Sequence, residues 1–457
     1  MDHSKQLGEE KIGKLLLKFS IPAIVGMIVN SIYNVVDRIF IGRGVGSIAL
    51  TGITVSFPIM IIIMAFGMLI GIGATSLISI RLGEKKGEEA EIILGNALSL
   101  LILTSIIMTV LGLIFVNPIL IRFGASSTVL PYAREYLVII LMGSIFQSIG
   151  FGMNGFIRAE GNPKIAMYTM VIGALANIAL DPLFIFTFGM GIRGAAIATV
   201  ISQAISSVWV LWYFFGGKSS LKIHLKNLKL HMRIVKEIIA IGLAPFSMQI
   251  AASVIVVILN RNLYTYGGDS AIAAMGIINS ISMFILMPIF GINQGSQPII
   301  GYNYGAREYD RVKETLKYSI LASTVICIVG FIVVMRYPEN LIMIFNNEDK
   351  DLIKIGAHGM KAALRMLPIV GFQIVGSNYF QAVGKAKYSM FLSLSRQVLF
   401  LIPVLIIMPK FLGLEGVWLA SPISDFLAFI LTFIVLFIEM KKLDSGKIQD
   451  NDLINEN

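Results

Sequence analysis

Leu98-Ser-Leu-Leu-Ile-Leu-Thr-Ser-Ile-Ile-Met-Thr-Val-Leu-Gly-Leu-Ile-Phe-Val116 carries no charge and almost no strong polarity. As a helix rising 1.5 Å per residue, such a stretch crosses the roughly 30 Å hydrocarbon layer of a bilayer. Similar runs recur on both sides of it, at Tyr136–Ile157, Val200–Phe215, Ile320–Met335 and Phe426–Met440. Barrel strands alternate apolar and polar residues over about ten positions, whereas these runs are largely unbroken, so a β-barrel is excluded. Helices remain as the way to satisfy a backbone in lipid.

Composition agrees. Of 457 residues, 56% are hydrophobic and 14% charged, and the mean hydropathy is +0.81. Soluble domains carry roughly 25% charged residues. The runs predict an all-α integral membrane protein with twelve transmembrane helices. They are expected near 15–41, 48–80, 92–116, 133–157, 164–188, 191–215, 238–264, 270–302, 314–336, 355–382, 388–410 and 413–440. The first is read as a retained helix, because no small-residue cleavage site follows it. Pro22, Pro58, Pro182, Pro245, Pro288, Pro298, Pro368, Pro403 and Pro422 fall inside these spans and predict kinks.

Basic residues set the orientation. With both termini cytoplasmic, about 24 of the 37 Lys and Arg lie in cytoplasmic segments, as the positive-inside rule requires. The net charge of +10 is therefore a topology signal and implies no nucleic-acid partner. The expected location is the cell (inner) membrane, multi-pass. The stretch Lys218–Lys236 is expected to run along the anionic inner leaflet between two halves. Cys327 is the single cysteine, so there is no disulfide framework, and the four histidines have no metal-ligand spacing.

The two halves repeat at an offset of about 222 residues. Asp37-Arg38 corresponds to Asn260-Arg261. Arg81–Ala90 corresponds to Asn303–Val312, Phe156–Lys164 to Tyr379–Lys387, and Gly191–Thr199 to Gly413–Ser421. Six helices separate the copies, so two parallel six-helix lobes should be related by a pseudo-two-fold axis along the membrane normal. The expected division is an N-terminal lobe at 1–217, a basic linker at 218–237, a C-terminal lobe at 238–440 and a polar tail at 441–457. Repeats of this kind build secondary transporters with a substrate site between the lobes.

Asp37 and Asp181 are carboxylates within apolar spans. A charge at bilayer depth costs at least about 2.5–3.5 kcal/mol, so each should face a cavity or a partner. Asn30, Tyr33, Asn34 and Asp37 share one helical stripe, and Asn177 and Asp181 share another. Thr199 begins the next helix. Carboxylates, an amide and a hydroxyl are hard oxygen donors, suited to Na+ or a proton. Blander roles exist for each. Asp37 can pair with Arg38 at the rim, Asp181 can satisfy a backbone group freed by Pro182, and Thr199 can bond within its own helix.

Asn34-Val-Val-Asp37, Arg81-Leu-Gly83, Arg158-Ala-Glu-Gly-Asn-Pro163, Asn177-Ile-Ala-Leu-Asp-Pro182 and Gly191–Thr199, in this order and across nearly the whole chain, resemble the multidrug and toxic compound extrusion (MATE) family. Acidic residues confined to the N-terminal lobe resemble its DinF-like branch, since Asn260 stands opposite Asp37 and Ile402 opposite Asp181. The resemblance implies a cation-coupling site at Asp37, Asn177, Asp181 and Thr199, and a substrate cavity lined by Tyr33, Asn34 and Asn154. It implies no enzyme and no cofactor, but a monomeric antiporter that exports amphipathic, often cationic, small molecules in exchange for H+ or Na+. The nearest alternative is a lipid-linked oligosaccharide flippase of the same plan, which needs a cationic cavity. A membrane transferase needs Asp-rich or His-Asp motifs that do not occur here. Gly189–Gly194 spells a dinucleotide fingerprint, but it joins two membrane helices and reads as a tight turn. Arg365 and Arg396 fall within spans and are expected to snorkel or to pair locally.

Overall fold

The computed structural model describes residues 4–444, and within them the chain is helical almost throughout. The polar residues beyond Asp444 lie outside the described part. Among the described residues, ten helices are long and apolar enough to cross a membrane. One of them, Met232–Gly305, has 74 residues, about 110 Å of helix and far more than one crossing needs. It is two spans joined at Gly268, where φ is 65° and ψ −162°. A further span is made of two pieces, Lys350–Ala363 and Leu367–Ala382. The result is twelve transmembrane helices in two lobes.

The N-terminal lobe contains α1 (Ile12–Gly44), α2 (Ser47–Gly83), α3 (Gly87–Ile114), α4 (Leu130–Ala159), α5 (Pro163–Thr187) and α6 (Gly191–Phe215). The C-terminal lobe contains α7 (232–267), α8 (269–305), α9 (Tyr309–Arg336), the two-part α10, α11 (Ala386–Leu412) and α12 (Leu414–Asp444). The repeat is written in the turns as well as in the helices. Left-handed backbone occurs at Gly46 and Gly268, Lys85 and Arg307, Gly161 and Gly384, and Gly191 and Gly413. The members of each pair stand at equivalent points of the two lobes.

Three local features depart from the expected spans. The tenth helix breaks at Leu364-Arg365-Met366, ahead of Pro368, whose missing N–H and steric bulk disfavour a continuous helix. Arg365 is thereby a turn residue and not a helical one. α5 ends in π-helical winding at Leu183–Thr187, directly after Pro182. α11 is π-wound at Ser395–Leu401, just before Pro403. Such wide turns are rare and recur at functional sites.

A lipid-facing belt surrounds the bundle. Leu17, Ile21, Val110, Ile114, Val257, Phe284, Ile332 and Phe433 are among many large apolar side chains that are half or more exposed. In water such a surface would aggregate; in hydrocarbon it is the required one. With apolar lipid outside, burial does little to hold the helices together, and close packing through small residues takes its place.

Between the lobes, that packing is concentrated at one end, the end bearing the chain termini. A methyl added at Gly73 would collide with the Ile238 carbonyl, at Gly83 with that of Tyr302, at Gly242 with that of Leu69 and at Gly305 with that of Ile80. Each of these contacts joins α2 of one lobe to α7 or α8 of the other. Gln297 Nε2 donates to Ser76 Oγ at 2.9 Å across the same seam. Farther from the termini, Ser31 reaches Met287 Sδ at 3.4 Å. Among the described residues, the side-chain bonds between the lobes run from this mid-membrane contact toward the termini-bearing end.

The N-terminal segment closes the seam. Leu7, in the short helix Lys5–Glu9, is fully buried. Its carbonyl accepts from Asn303 Nδ2 at 2.9 Å and from Arg311 Nη2 at 3.0 Å, while Gln6 Nε2 donates to the Gly161 carbonyl at 2.5 Å. The residues before α1 thus touch both lobes.

The segment between α6 and α7 is strapped to the N-terminal lobe. Asn96 Oδ1 accepts from His231 N at 2.7 Å, and Ser99 Oγ donates to the Leu228 carbonyl at 2.8 Å. Glu160, between α4 and α5 and fully buried, accepts from Tyr213 Oη at 2.7 Å, from Leu221 N at 3.1 Å and from Ser219 Oγ. Burial pushes its carboxyl up to about 7, against the lowering effect of these donors. The folded pKa is therefore above the unfolded one. The contribution is fully present below the unfolded value of about 4.5 and is lost as pH rises through 7, a change of about 3 kcal/mol. Glu160→Gln keeps an acceptor without a charge. Thermal unfolding of the purified protein between pH 5 and pH 8 should show a flatter pH dependence in this variant; an unchanged slope would place the titration elsewhere.

Candidate cation site

α1 and α5 pack side by side and bring Asp37 and Asp181 together. Asp181 is fully buried in the last turn before the α5 π segment, and Asn177, one turn earlier, is 1% exposed. Asn177 Nδ2 donates to Asp181 Oδ1 at 3.3 Å. The Asp37 carboxyl lies at hydrogen-bonding range of the Asp181 carboxyl.

Three oxygens here have no protein donor: Asp37 Oδ1, Asp181 Oδ2 and Asn177 Oδ1 are buried and unpaired. Orphaned buried acceptors are rare in folded proteins and call for an explanation. Two ionised carboxylates at this range repel unless positive charge lies between them. A shared proton, or a cation held by these oxygens, satisfies both conditions. Among the described residues no group of three or more His, Cys, Asp or Glu is placed to hold a metal ion. The donor set is small, hard and mostly anionic, which fits H+ or Na+ and not a soft transition metal.

The other expected site residues fall at varied places. Tyr33 is part-buried one helical turn from Asp37. Asn34 is exposed and donates to its own helix at the Asn30 carbonyl, 2.7 Å away. Thr199 is buried, and its hydroxyl donates to the Ala195 carbonyl at 3.0 Å. Its oxygen lone pairs stay open, but no bond joins it to the carboxyls. Asn154 lies at the opposite end of α4. Its amide donates to the Ala166 carbonyl at 2.7 Å and its oxygen accepts from Arg158, so its bonds tie α4 to α5 and reach none of the other candidates. Arg38 does not bridge Asp37; its guanidinium lies 5.8 Å from the centre of the Phe57 ring.

Sequence reasoning missed Tyr136. It is 2% exposed on α4, and its phenol interacts electrostatically with Asp37, Tyr33 and Asp181. The one available signal was a tyrosine at the start of an otherwise apolar run. The C-terminal lobe also contains a buried carboxylate that the repeat comparison did not expose. Asp425 on α12, 8% exposed, accepts from Arg396 Nε at 2.6 Å, so Arg396 pairs locally.

Twelve membrane helices in two repeated lobes, with a carboxyl pair buried in one lobe, define a membrane transporter. The particular family follows from sequence. The MatE family model matches residues 22–183 and again 243–407, and the chain belongs to that family, the MATE transporters. It is 30% identical to the multidrug export protein MepA of Staphylococcus haemolyticus over 93% of this chain and 94% of the relative. A solved structure of the MATE multidrug transporter DinF-BH, determined as a complex, is 44% identical, covering 94% of this chain and 96% of that one, with a TM-score of 0.88. A MATE structure in the bent conformation superposes at a TM-score of 0.92 with 26% identity, covering 98% of this chain and all of that one.

Proposed function

We propose that the chain is a secondary antiporter that exports amphipathic, often cationic, organic compounds in exchange for H+ or Na+. The observation that carries this reading is the Asp37–Asp181 pair with its three orphaned oxygens. A proton or Na+ held there removes the repulsion and lets α1 and α5 stay together. Its release leaves two like charges at close range, which favours a different arrangement of the same helices. A substrate that prefers one arrangement and a cation that prefers the other are exchanged, because coupling between two sites is reciprocal. Tyr33, Tyr136 and Thr199 would tune the site, and the space between the lobes would hold the substrate.

The lobe seam supplies the access logic. Close packing at the termini-bearing end leaves the opposite end as the side from which the cleft opens, and rocking of the lobes about the mid-membrane contacts would alternate the two. The expected division into lobes 1–217 and 238–440 with a linker at 218–237 suits this motion. A transport assay in proteoliposomes with Na+ and pH gradients imposed separately tests the reading. Export of a cationic dye driven by one of them supports it, and export indifferent to both contradicts it.

Orientation is part of the proposal: termini and linker cytoplasmic, in the cell (inner) membrane. Leu225 is 86% exposed on the linker and makes a better reporter than Ser219, whose hydroxyl is bound to Glu160. A cysteine at Leu225 should resist an impermeant thiol reagent in intact cells and react after permeabilisation. Native Cys327 is buried and gives little background. Efficient labelling of intact cells would invert the topology.

A further inference from the structure

The C-terminal lobe contains a column of buried polar atoms that the cation site does not use. On the second part of α10, Gln373, Ser377 and Gln381 follow at four-residue spacing and share one face. Gln373 Oε1, Ser377 Oγ and Gln381 Nε2 are all buried without a hydrogen-bond partner, and the three side chains are 4%, 7% and 7% exposed. α12 packs against this helix, with Thr432 Cγ2 2.8 Å from where a β-carbon on Gly376 would lie. Thr432 is 1% exposed and its hydroxyl too is unpaired. Asp425, Thr432 and Glu439 stand seven residues apart on α12 and form one stripe.

The column has charged groups at both ends. At the termini-bearing end Glu439 accepts from Lys385 Nζ at 2.8 Å and from Tyr379 Oη at 3.3 Å, and Tyr304 and Tyr309 lie close to the same tyrosine. Lys385 reaches the surface. In mid-membrane Asp425 is held by Arg396 through a single Nε bond. From α9, Cys327 interacts electrostatically with Asp425 and lies at hydrogen-bonding range of the Gly371 backbone. Ser323, one turn from Cys327, carries another buried unpaired hydroxyl.

We infer that this column is a water-filled path by which solvent from the termini-bearing side, and protons with it, reach the Arg396–Asp425 pair. Isolated buried polar groups without partners are expensive, while successive ones along one seam provide each bridging water with the two to four polar contacts that it needs. The path is separate from the Asp37–Asp181 site and does not depend on the coupling proposed there.

The single cysteine makes the path measurable in the unmodified protein. Cys327 is fully buried, one helical turn from Ser323, and within electrostatic reach of Asp425, and its S–H stretch is a unique infrared band. Exchange to S–D requires water at the sulfur. After transfer of the full-length protein in lipid to heavy water, the band should shift within minutes. Thr432→Val and Ser377→Ala remove hydroxyls with little change in volume and should slow that exchange at least tenfold, singly or together. Persistence of the S–H band for hours in the native protein overturns the path. Rapid exchange that neither substitution slows also overturns it, since water would then arrive by another route. Slowed exchange in the variants supports it, and the native measurement stands even if a variant fails to fold.

Discussion

Asp181→Asn should reduce gradient-driven export about a hundredfold while leaving the protein folded and inserted. The substitution keeps the size of the side chain and its bond with Asn177, but it removes the charge that opposes Asp37. On the proposed mechanism, α1 and α5 would then no longer sense whether a cation is present, and the energy that links cation to substrate would be lost. Coupling energies of 1–3 kcal/mol correspond to about 5- to 150-fold in affinity, so the loss of driven flux should be about a hundredfold. Asp37→Asn should behave likewise, because the two carboxyls act as one unit at hydrogen-bonding range. Tyr136→Phe, which keeps the ring and removes the hydroxyl, should have a smaller effect. The comparison is made in proteoliposomes at matched reconstitution, under imposed H+ and Na+ gradients. Undiminished ion-driven export by Asp181→Asn would remove the carboxyl pair from the mechanism.

The second large effect lies at the seam. A methyl on Gly242 would meet the Leu69 backbone carbonyl, and a backbone cannot rotate out of the way as a side chain can. Overpacking of this kind costs about 1–3 kcal/mol. The lobes can relieve it by parting at the termini-bearing end, so Gly242→Ala should shift the equilibrium between facing states by about thirtyfold for 2 kcal/mol. Spin labels on the exposed positions Glu88 and Glu308, one on each lobe beside the seam, should report longer distances in the variant. Gly276→Ala is the control, since nothing lies within 4 Å of a β-carbon there. An unchanged distance distribution in Gly242→Ala would mean that the seam is not a gate.

The membrane spans were legible because hydrocarbon leaves one local solution, a helix long enough to cross it. The repeat was legible because its left-handed turns need particular residues, as at Gly161 and Gly384 or Gly191 and Gly413. Breaks within helices were less so. Prolines mark many positions in this chain, yet the break before Pro368 and the π segments beside Pro182 and Pro403 depend on which neighbours re-satisfy the backbone. Asp37 and Asp181 stood out because charge is rare in such spans. Tyr136 did not, since a tyrosine in an apolar helix has no distinguishing neighbour in sequence. Asp425 and Arg396 were both visible as charges, but their pairing is set by how α11 packs on α12. Asn154 illustrates the converse: its position suggested a cavity, while its amide is engaged with Ala166 and Arg158.

The central claim is that one cation sits between Asp37 and Asp181 and leaves when substrate binds. Calorimetric titration of the purified transporter with a cationic dye, in buffers of different ionisation enthalpy and at several Na+ concentrations, measures that exchange directly. The account predicts release of H+ or Na+ on dye binding in the native protein, and none in Asp181→Asn or Asp37→Asn. Dye binding to the native protein that is independent of both pH and Na+, or identical cation release in the two variants, would contradict it.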